Sequence, residues 1–331
     1  METNILSIVI PVYRVEKYLE KCINSFVSQI TPGVELILVD DGSDDLCPSI
    51  CDEYSSKYSF IKTIHKENGG LSSAVAVGVR NSSGKYIGFC DSDDWVTPDY
   101  LKEIMTIITS QNVDVLCFDH YRIQEWDNMS KISTSYLLKC GLSTDEECEP
   151  AKKTFMRPGG IGPNRWTKII KRDLAISSLE TYDNRISIGE DINFTAPIIN
   201  RMKSIYYLDK ALINYNVNSQ SMTQNFNYKY IQDFDFLFLA LEVALNDNRD
   251  LLGYINYINM RTMVNSIGKS SIDNKRQYLH TILSNSKYQR RLNYVSLNDL
   301  KLQDKLLLFA MKKNISGLLL IVSYLYGKLA R

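Results

Sequence analysis

The sequence predicts an α/β protein, with a mostly parallel sheet flanked by helices and a helical extension at its C-terminal end. Three observations lead there. Short apolar, β-rich runs alternate with helical patterns through the first third of the chain, the rhythm of a doubly wound sheet. Polar clusters recur where those runs end, at Pro11-Val12-Tyr13, Asp40-Asp41 and Asp91–Asp94, and ligands bind beyond the carboxyl ends of strands in such sheets. After about Asn227 the pattern is helical only.

Leu6–Val12 is a continuous apolar run, as expected of a strand covered on both faces. Glu16–Gln29 follows with Leu19, Cys22, Ile23, Phe26 and Val27 at helical spacing. Val34–Val39 reads as a second buried strand, with a helix from Asp44 to about Lys57. Phe60–Ile64 is a third strand and Leu71–Arg80 a small-residue helix broken at Ser83-Gly84. Tyr86–Cys90 is a fourth strand running into Asp91, and Pro98 suits the first turn of a helix reaching about Ser110. Val113–Phe118 is a fifth strand. The expected domains are residues 1–225, with halves meeting at about 120, and a helical region from 226 to 331.

Composition narrows the function. In 331 residues, 38 Lys and Arg balance 38 Asp and Glu, so no overall charge favours nucleic acid. The seven cysteines are irregularly spaced without a Cys-x-x-Cys pair, which argues for reduced thiols rather than zinc. The run Ile5–Ile10 is too short for a leader peptide, and no stretch approaches the ~20 apolar residues of a spanning helix. A cytoplasmic protein is the expectation.

Four segments can carry chemistry. In Asp91-Ser92-Asp93-Asp94 the carboxylates repel one another unless a cation is present, and oxygen ligands suit magnesium or manganese. The plain alternative is a solvated acidic turn in which Asp94 caps the next helix. Asp41 reads equally as a turn residue or as an acceptor for a nucleobase imide. Asn68-Gly69-Gly70-Leu71-Ser72 reads equally as a turn or as backbone N–H groups brought near a phosphate. Neither Gly-x-Gly-x-x-Gly nor Gly-Lys-Ser/Thr is present, so a dinucleotide fold and a P-loop are unsupported. Gly189-Glu190-Asp191 is the best source of a general base, although acidic residues also suit a helix N-terminus for its dipole alone.

Together these segments resemble the inverting family 2 glycosyltransferases with the Rossmann-like GT-A fold, of the bacterial surface-polysaccharide type. The likeness rests on Ser7–Tyr13, Glu16–Leu19, Val39–Ser43, Asn68–Ser72, Gly84–Ile87 and Asp91–Trp95, with weaker landmarks at Lys168-Ile169, Gly189–Asp191 and Ser221–Thr223. It implies a nucleotide-sugar donor, most readily a UDP-sugar, and a glycan or lipid-linked acceptor. Pro11, Val12, Tyr13 and Asp41 would line the nucleoside pocket, with Gly70 and Ser72 beside it. Asp91 and Ser92 would approach the ribose and diphosphate, while Asp93, with Asp91, would hold Mn2+ or Mg2+. Asp191 would take the acceptor proton, with Trp166, Lys168 and Glu190 on the acceptor side.

Two departures stand out. Val75 and Val217 occupy positions where family members often carry arginine, and Arg165 or Lys168 are the candidates to compensate. A catalytically impaired donor-binding or scaffolding protein is therefore the alternative reading. A nucleotidylyltransferase is disfavoured, because no Gly-rich, basic loop lies near the N-terminus.

The apolar runs Leu306–Lys313 and Ile315–Tyr326 are bracketed by Lys301, Lys305, Lys328 and Arg331. They suit a helix lying in an anionic membrane surface at the inner face of the cell membrane, or a helix covered by the protein's own core or by a partner subunit in a homodimer.

Overall fold

The computed structural model describes residues 4–123, 129–132, 139–157, 159–217, 229–269, 274–295, 300 and 302–321. The Ser221–Thr223 landmark, Pro158, Lys301, Lys328 and Arg331 lie outside these described residues. The chain divides into two compact units, Met1–Ser219 and Gln220–Arg331.

The first unit begins β1 (Leu6–Val12), α1 (Glu16–Val27), β2 (Val34–Asp40), α2 (Cys47–Lys57), β3 (Ile61–His65), α3 (Leu71–Asn81) and β4 (Tyr86–Phe89). There follow β5 (Trp95–Val96), α4 (Tyr100–Ser110), β6 (Val115–Ile123), β7 (Met129–Ile132), β8 (Gly141–Thr144) and α5 (Glu149–Lys153). It closes with β9 (Lys168–Lys171), α6 (Arg172–Ser178), α7 (Glu190–Arg201) and β10 (Ser204–Asn216). One sheet runs β3-β2-β1-β4-β9-β6-β10-β5, with β7 added beside β6 and β8 beside β10. The division expected at residue 120 falls inside β6, and the sheet continues through it.

The strands β3, β2, β1 and β4 are mutually parallel, as the β-α rhythm predicts. Leu6, Ile8, Val9 and Ile10 of β1 have no exposed surface, as in a strand covered on both faces, and α3 packs against it. Each contributes roughly 1.5–3 kcal/mol by burial. On α1 the residues at helical spacing, Leu19, Cys22, Ile23 and Phe26, are all buried.

The other half is mixed. The fifth predicted strand, β6, does not neighbour β4: the later strand β9 inserts between them, antiparallel to both. Lys171 pairs with Tyr86 and Ile169 with Gly88. A strand entering antiparallel starts where its neighbour ends, so the residues just before β9 arrive at the carboxyl end of β4. No local pattern announces this.

Two helix starts also shift. The helix expected from Asp44 begins at Cys47, because Asp45 accepts the N–H groups of Cys47 (3.0 Å) and Glu16 (3.2 Å) from outside it. The helix expected from Pro98 begins at Tyr100, since Trp95–Val96 first pairs with β10.

The second unit contains α8 (Lys229–Ala244), α9 (Arg249–Lys269), α10 (Lys275–Ser284), α11 (Ser286–Leu292) and α12 (Leu302–Lys312). Among the described residues, no helix is long and apolar enough to cross a membrane.

Candidate active site

The carboxyl ends of β1, β2 and β4 lie side by side, as their register requires. At the end of β1, Pro11 and Val12 are buried, whereas Tyr13 is 41% exposed, with the Arg14 guanidinium 5.2 Å from its ring centroid. Arg14 then turns into the left-handed region (φ 51°) and forms a two-pronged ion pair with Asp44, at 2.7 Å on each arm.

At the end of β2 the two aspartates have separate tasks. Asp40 accepts the Ser43 N–H at 3.0 Å and lies 2.8 Å from the His65 ring. Both His65 nitrogens face carboxylates, those of Asp40 and Asp52, so its pKa is raised. Asp41 is 2% exposed, and it accepts the N–H groups of Gly69 (3.0 Å) and Gly70 (2.7 Å) while pairing with Lys66. Asp41 therefore braces the 68–70 loop. Gly42 makes the approach feasible: its φ of +71° is left-handed, and a Cβ there would lie 2.8 Å from the Asn68 nitrogen.

This changes the phosphate-cradle expectation for Gly70 and Ser72. The Gly70 N–H is committed to Asp41. The Ser72 hydroxyl donates to the Ile186 carbonyl at 2.6 Å, and Tyr182 hydrogen-bonds to the same hydroxyl. Both residues shape the site, with their donors turned inward. Val75 is fully buried in α3.

Beyond β4 the chain turns at once, the Asp94 N–H donating to the Asp91 carbonyl at 3.0 Å. Ser92 is buried at 6% exposure. Asp94 does not cap a helix: it is buried at the turn and accepts the Asn216 N–H at 2.8 Å, joining this turn to the end of β10. Asp93 stays partly exposed, and its pKa is pushed up to about 6 by burial first and by the Asp91 charge second. Burial also raises Asp91 and Asp94.

The centre of the site is Arg165. It sits in a short 3-10 turn, Arg165–Thr167, immediately before β9, and its side chain is 2% exposed. One arm (Nη2) pairs with Asp91; the other (Nη1) donates to Asp191 at 2.5 Å and lies 3.9 Å from Glu190. The Arg165 backbone N–H also reaches Asp191, at 3.3 Å. A single guanidinium thus ties the acidic turn after β4 to the start of α7, with one charge-assisted hydrogen bond from each arm to a different carboxylate. Despite its burial, the three surrounding carboxylates raise its pKa, so it stays charged.

Glu190 and Asp191 open α7 behind Gly189, whose φ of 88° is left-handed. Glu190 is pushed up to about 7 by burial and by Asp191, with Arg165 opposing. The remaining acceptor-side candidates turn inward. Trp166 is 6% exposed, stacked on Tyr215 (ring centroids 5.5 Å apart, 2° between planes) and edge-on to His120. Burial lowers His120 to about 4, which keeps its ring neutral. Lys168 is 1% exposed and donates to the Gly162 and Asn164 carbonyls, both at 2.7 Å. It fastens the loop that carries Arg165 and presents no charge to a substrate.

Among the described residues, no three His, Cys, Asp or Glu side chains converge as a ready metal cage. The donor set still suits magnesium or manganese, which take one or two carboxylates and complete their shell with phosphate oxygens and water. Asp91 commits one oxygen to Arg165, so Asp93 is the carboxylate that would hold such an ion first.

Residues 7–164 match the model of glycosyl transferase family 2. The chain is 38% identical over 124 residues to glycosyltransferase GlyA of Streptococcus pneumoniae, covering 38% of this chain and 18% of GlyA. It is 28% identical over 219 residues to the uncharacterized glycosyltransferase EpsJ of Bacillus subtilis, covering 65% of this chain and 61% of EpsJ. With the minor teichoic acid biosynthesis protein GgaB of B. subtilis it shares 30% over 220 residues, 64% of this chain and 23% of GgaB. The chain thus spans less than two thirds of each of these relatives. The crystal structure of Staphylococcus aureus TarS 1–349 in complex with UDP-GlcNAc superposes with a TM-score of 0.74 at 18% identity, covering 98% of this chain and 92% of that one. At that identity the likeness is one of fold.

Proposed function

Residues 7–164 are a family 2 glycosyltransferase domain, and from that premise we propose that the chain transfers a hexosyl or N-acetylhexosaminyl group from a nucleotide sugar to a glycan or lipid-linked acceptor in bacterial surface-polysaccharide synthesis. A UDP-sugar is the first choice of donor, on the fold shared with a protein crystallised with UDP-GlcNAc. The observation that carries the reading is Arg165 holding the Asp91 turn and Asp191 together.

In this reading the base stacks on Tyr13 above Pro11 and Val12. Asp41 keeps a lone pair on Oδ2 beyond the Gly70 N–H, where a base imide can donate. Ser92 and Asp91 follow the ribose and diphosphate. When bound, a divalent ion held by Asp93, with Asp91, would neutralise the leaving diphosphate. Asp191 takes the proton from the acceptor hydroxyl as its oxygen attacks the anomeric carbon. The bond from that carbon to the diphosphate oxygen breaks on the opposite face, so the configuration inverts and a nucleoside diphosphate departs.

Arg165 orients the Asp191 carboxylate through Oδ1 and leaves Oδ2 for the incoming hydroxyl. The alternative of an impaired donor-binding protein arose from Val75 and Val217. It stays open on the charge balance, because Arg165 is 2% exposed and its two arms are spent on Asp91 and Asp191. Asp191→Asn is expected to bind donor normally and to lose transfer by about a hundredfold or more. Full transfer by that variant would refute the assignment. Chelation that left donor binding and turnover unchanged would remove the metal from the mechanism.

A further inference from the structure

In the second unit, α12 has two faces of unusual character. Leu307, Leu308, Ala310 and Met311 are fully buried, and Asp304 anchors the same side, accepting from Tyr257 (2.6 Å) and Arg261 (3.1 Å). At 100° per residue the opposite side of a surface helix should be polar. Here it carries Leu302, Leu306 and Phe309, at positions i, i+4 and i+7, exposed by 76%, 52% and 52%. Lys305, Lys312 and Lys313 flank the same outward face. The chain turns at Asn314 (φ 52°), and beyond the turn Ile315 and Ile321 are exposed as well.

We propose that this face of α12 docks on an anionic lipid surface, its apolar side chains entering the headgroup boundary and its lysines meeting lipid phosphates. Charge decides the occupant. The whole chain is neutral, yet residues 301–331 hold six basic residues (Lys301, Lys305, Lys312, Lys313, Lys328, Arg331) and one acidic residue, Asp304, which is buried and paired. A second copy meeting this face about a two-fold axis would bring lysines against lysines. Covering by residues 322–331 would add Lys328 and Arg331 to the same positive field. An anionic bilayer complements both features, and lysine stems reach along the apolar face to place their charge at the headgroups. The inference is independent of the proposed sugar transfer, because lipid binding is read without donor, metal or turnover.

The test is co-sedimentation of the full chain with vesicles of phosphatidylcholine alone or mixed with phosphatidylglycerol. Binding is expected to the mixed vesicles, about tenfold or more stronger than to neutral ones and weakened by raised salt. Two double variants, Leu306→Ser with Phe309→Ser and Lys312→Glu with Lys313→Glu, change exposed or half-exposed side chains only. Each is expected to lower binding about tenfold, with an unchanged circular dichroism spectrum and melting temperature. Equal binding to both vesicle types, no binding, or variants that bind like the parent would overturn the proposal. So would a concentration-dependent dimer that the Leu306 and Phe309 substitutions abolish while vesicle binding stays unchanged.

Discussion

Removing Arg165 tests the architecture of the site most directly. Its guanidinium makes charge-assisted contacts to Asp91 and Asp191 from a side chain 2% exposed. Such bonds contribute about 1.5–3 kcal/mol each. Breaking a buried pair by deleting one partner costs about 3–5 kcal/mol, because the surviving charges stay desolvated. Arg165→Ala leaves Asp91, Asp191 and Glu190 without their cation, so a loss of about 3–5 kcal/mol in urea denaturation is expected. Some of that loss will be recovered by proton uptake on the carboxylates. Catalysis should suffer beyond stability, since Asp191 loses the contact that aims it; misplacement of a reacting group commonly costs about a hundredfold. Arg165→Lys keeps one charge but cannot span both carboxylates, and should fall between the two. Stability would come from denaturation with intrinsic fluorescence, and kcat and KM from release of nucleoside diphosphate. If Arg165→Ala stayed within about 0.5 kcal/mol of the parent and kept its kcat, the bridging role would be refuted.

Other consequences follow from the same geometry. Glu190 is raised from 4.5 to about 7, so the folded chain keeps its proton where the unfolded chain has lost it. Stability is then expected to fall as pH rises across that window, by roughly 3 kcal/mol at most, and Glu190→Gln should flatten this part of the profile. Gly42→Ala forces a side chain into the left-handed region and toward the Asn68 nitrogen; a loss of about 1–3 kcal/mol and weaker donor binding by calorimetry are expected. Lys168→Met leaves the Gly162 and Asn164 carbonyls without their donor, which should lower stability by about 2–4 kcal/mol and reduce kcat through Arg165. A melting temperature equal to the parent's would show that the lysine is dispensable.

Much of the fold and part of the site are legible from residue order alone. Apolar runs and helical spacing mark the β3-β2-β1-β4 half because its strands are short buried runs that alternate with amphipathic helices along the chain. The acidic turn at Asp91–Asp94 and the start of α7 at Glu190-Asp191 are legible because local chemistry suits their tasks. Solvation and partners are not local. Nothing near Gly70 or Ser72 tells that Asp41 and Ile186 claim their donors, and nothing near Lys168 or Trp166 tells that both turn inward.

Arg165 shows the limit most clearly. From its neighbours it is one cation in a polar segment, and only as a substitute for the arginines missing at Val75 and Val217 does it draw notice. Its role comes from β9 entering antiparallel between β4 and β6, which carries residue 165 to the end of a strand that finished 76 positions earlier, at Phe89. The sequence by itself determined which carboxylates are available, which strand ends they follow and the family they resemble. The tertiary structure alone decided which of them share a counter-ion. Coulomb attraction in a desolvated site depends on distance through space, and distance in sequence carries almost none of it.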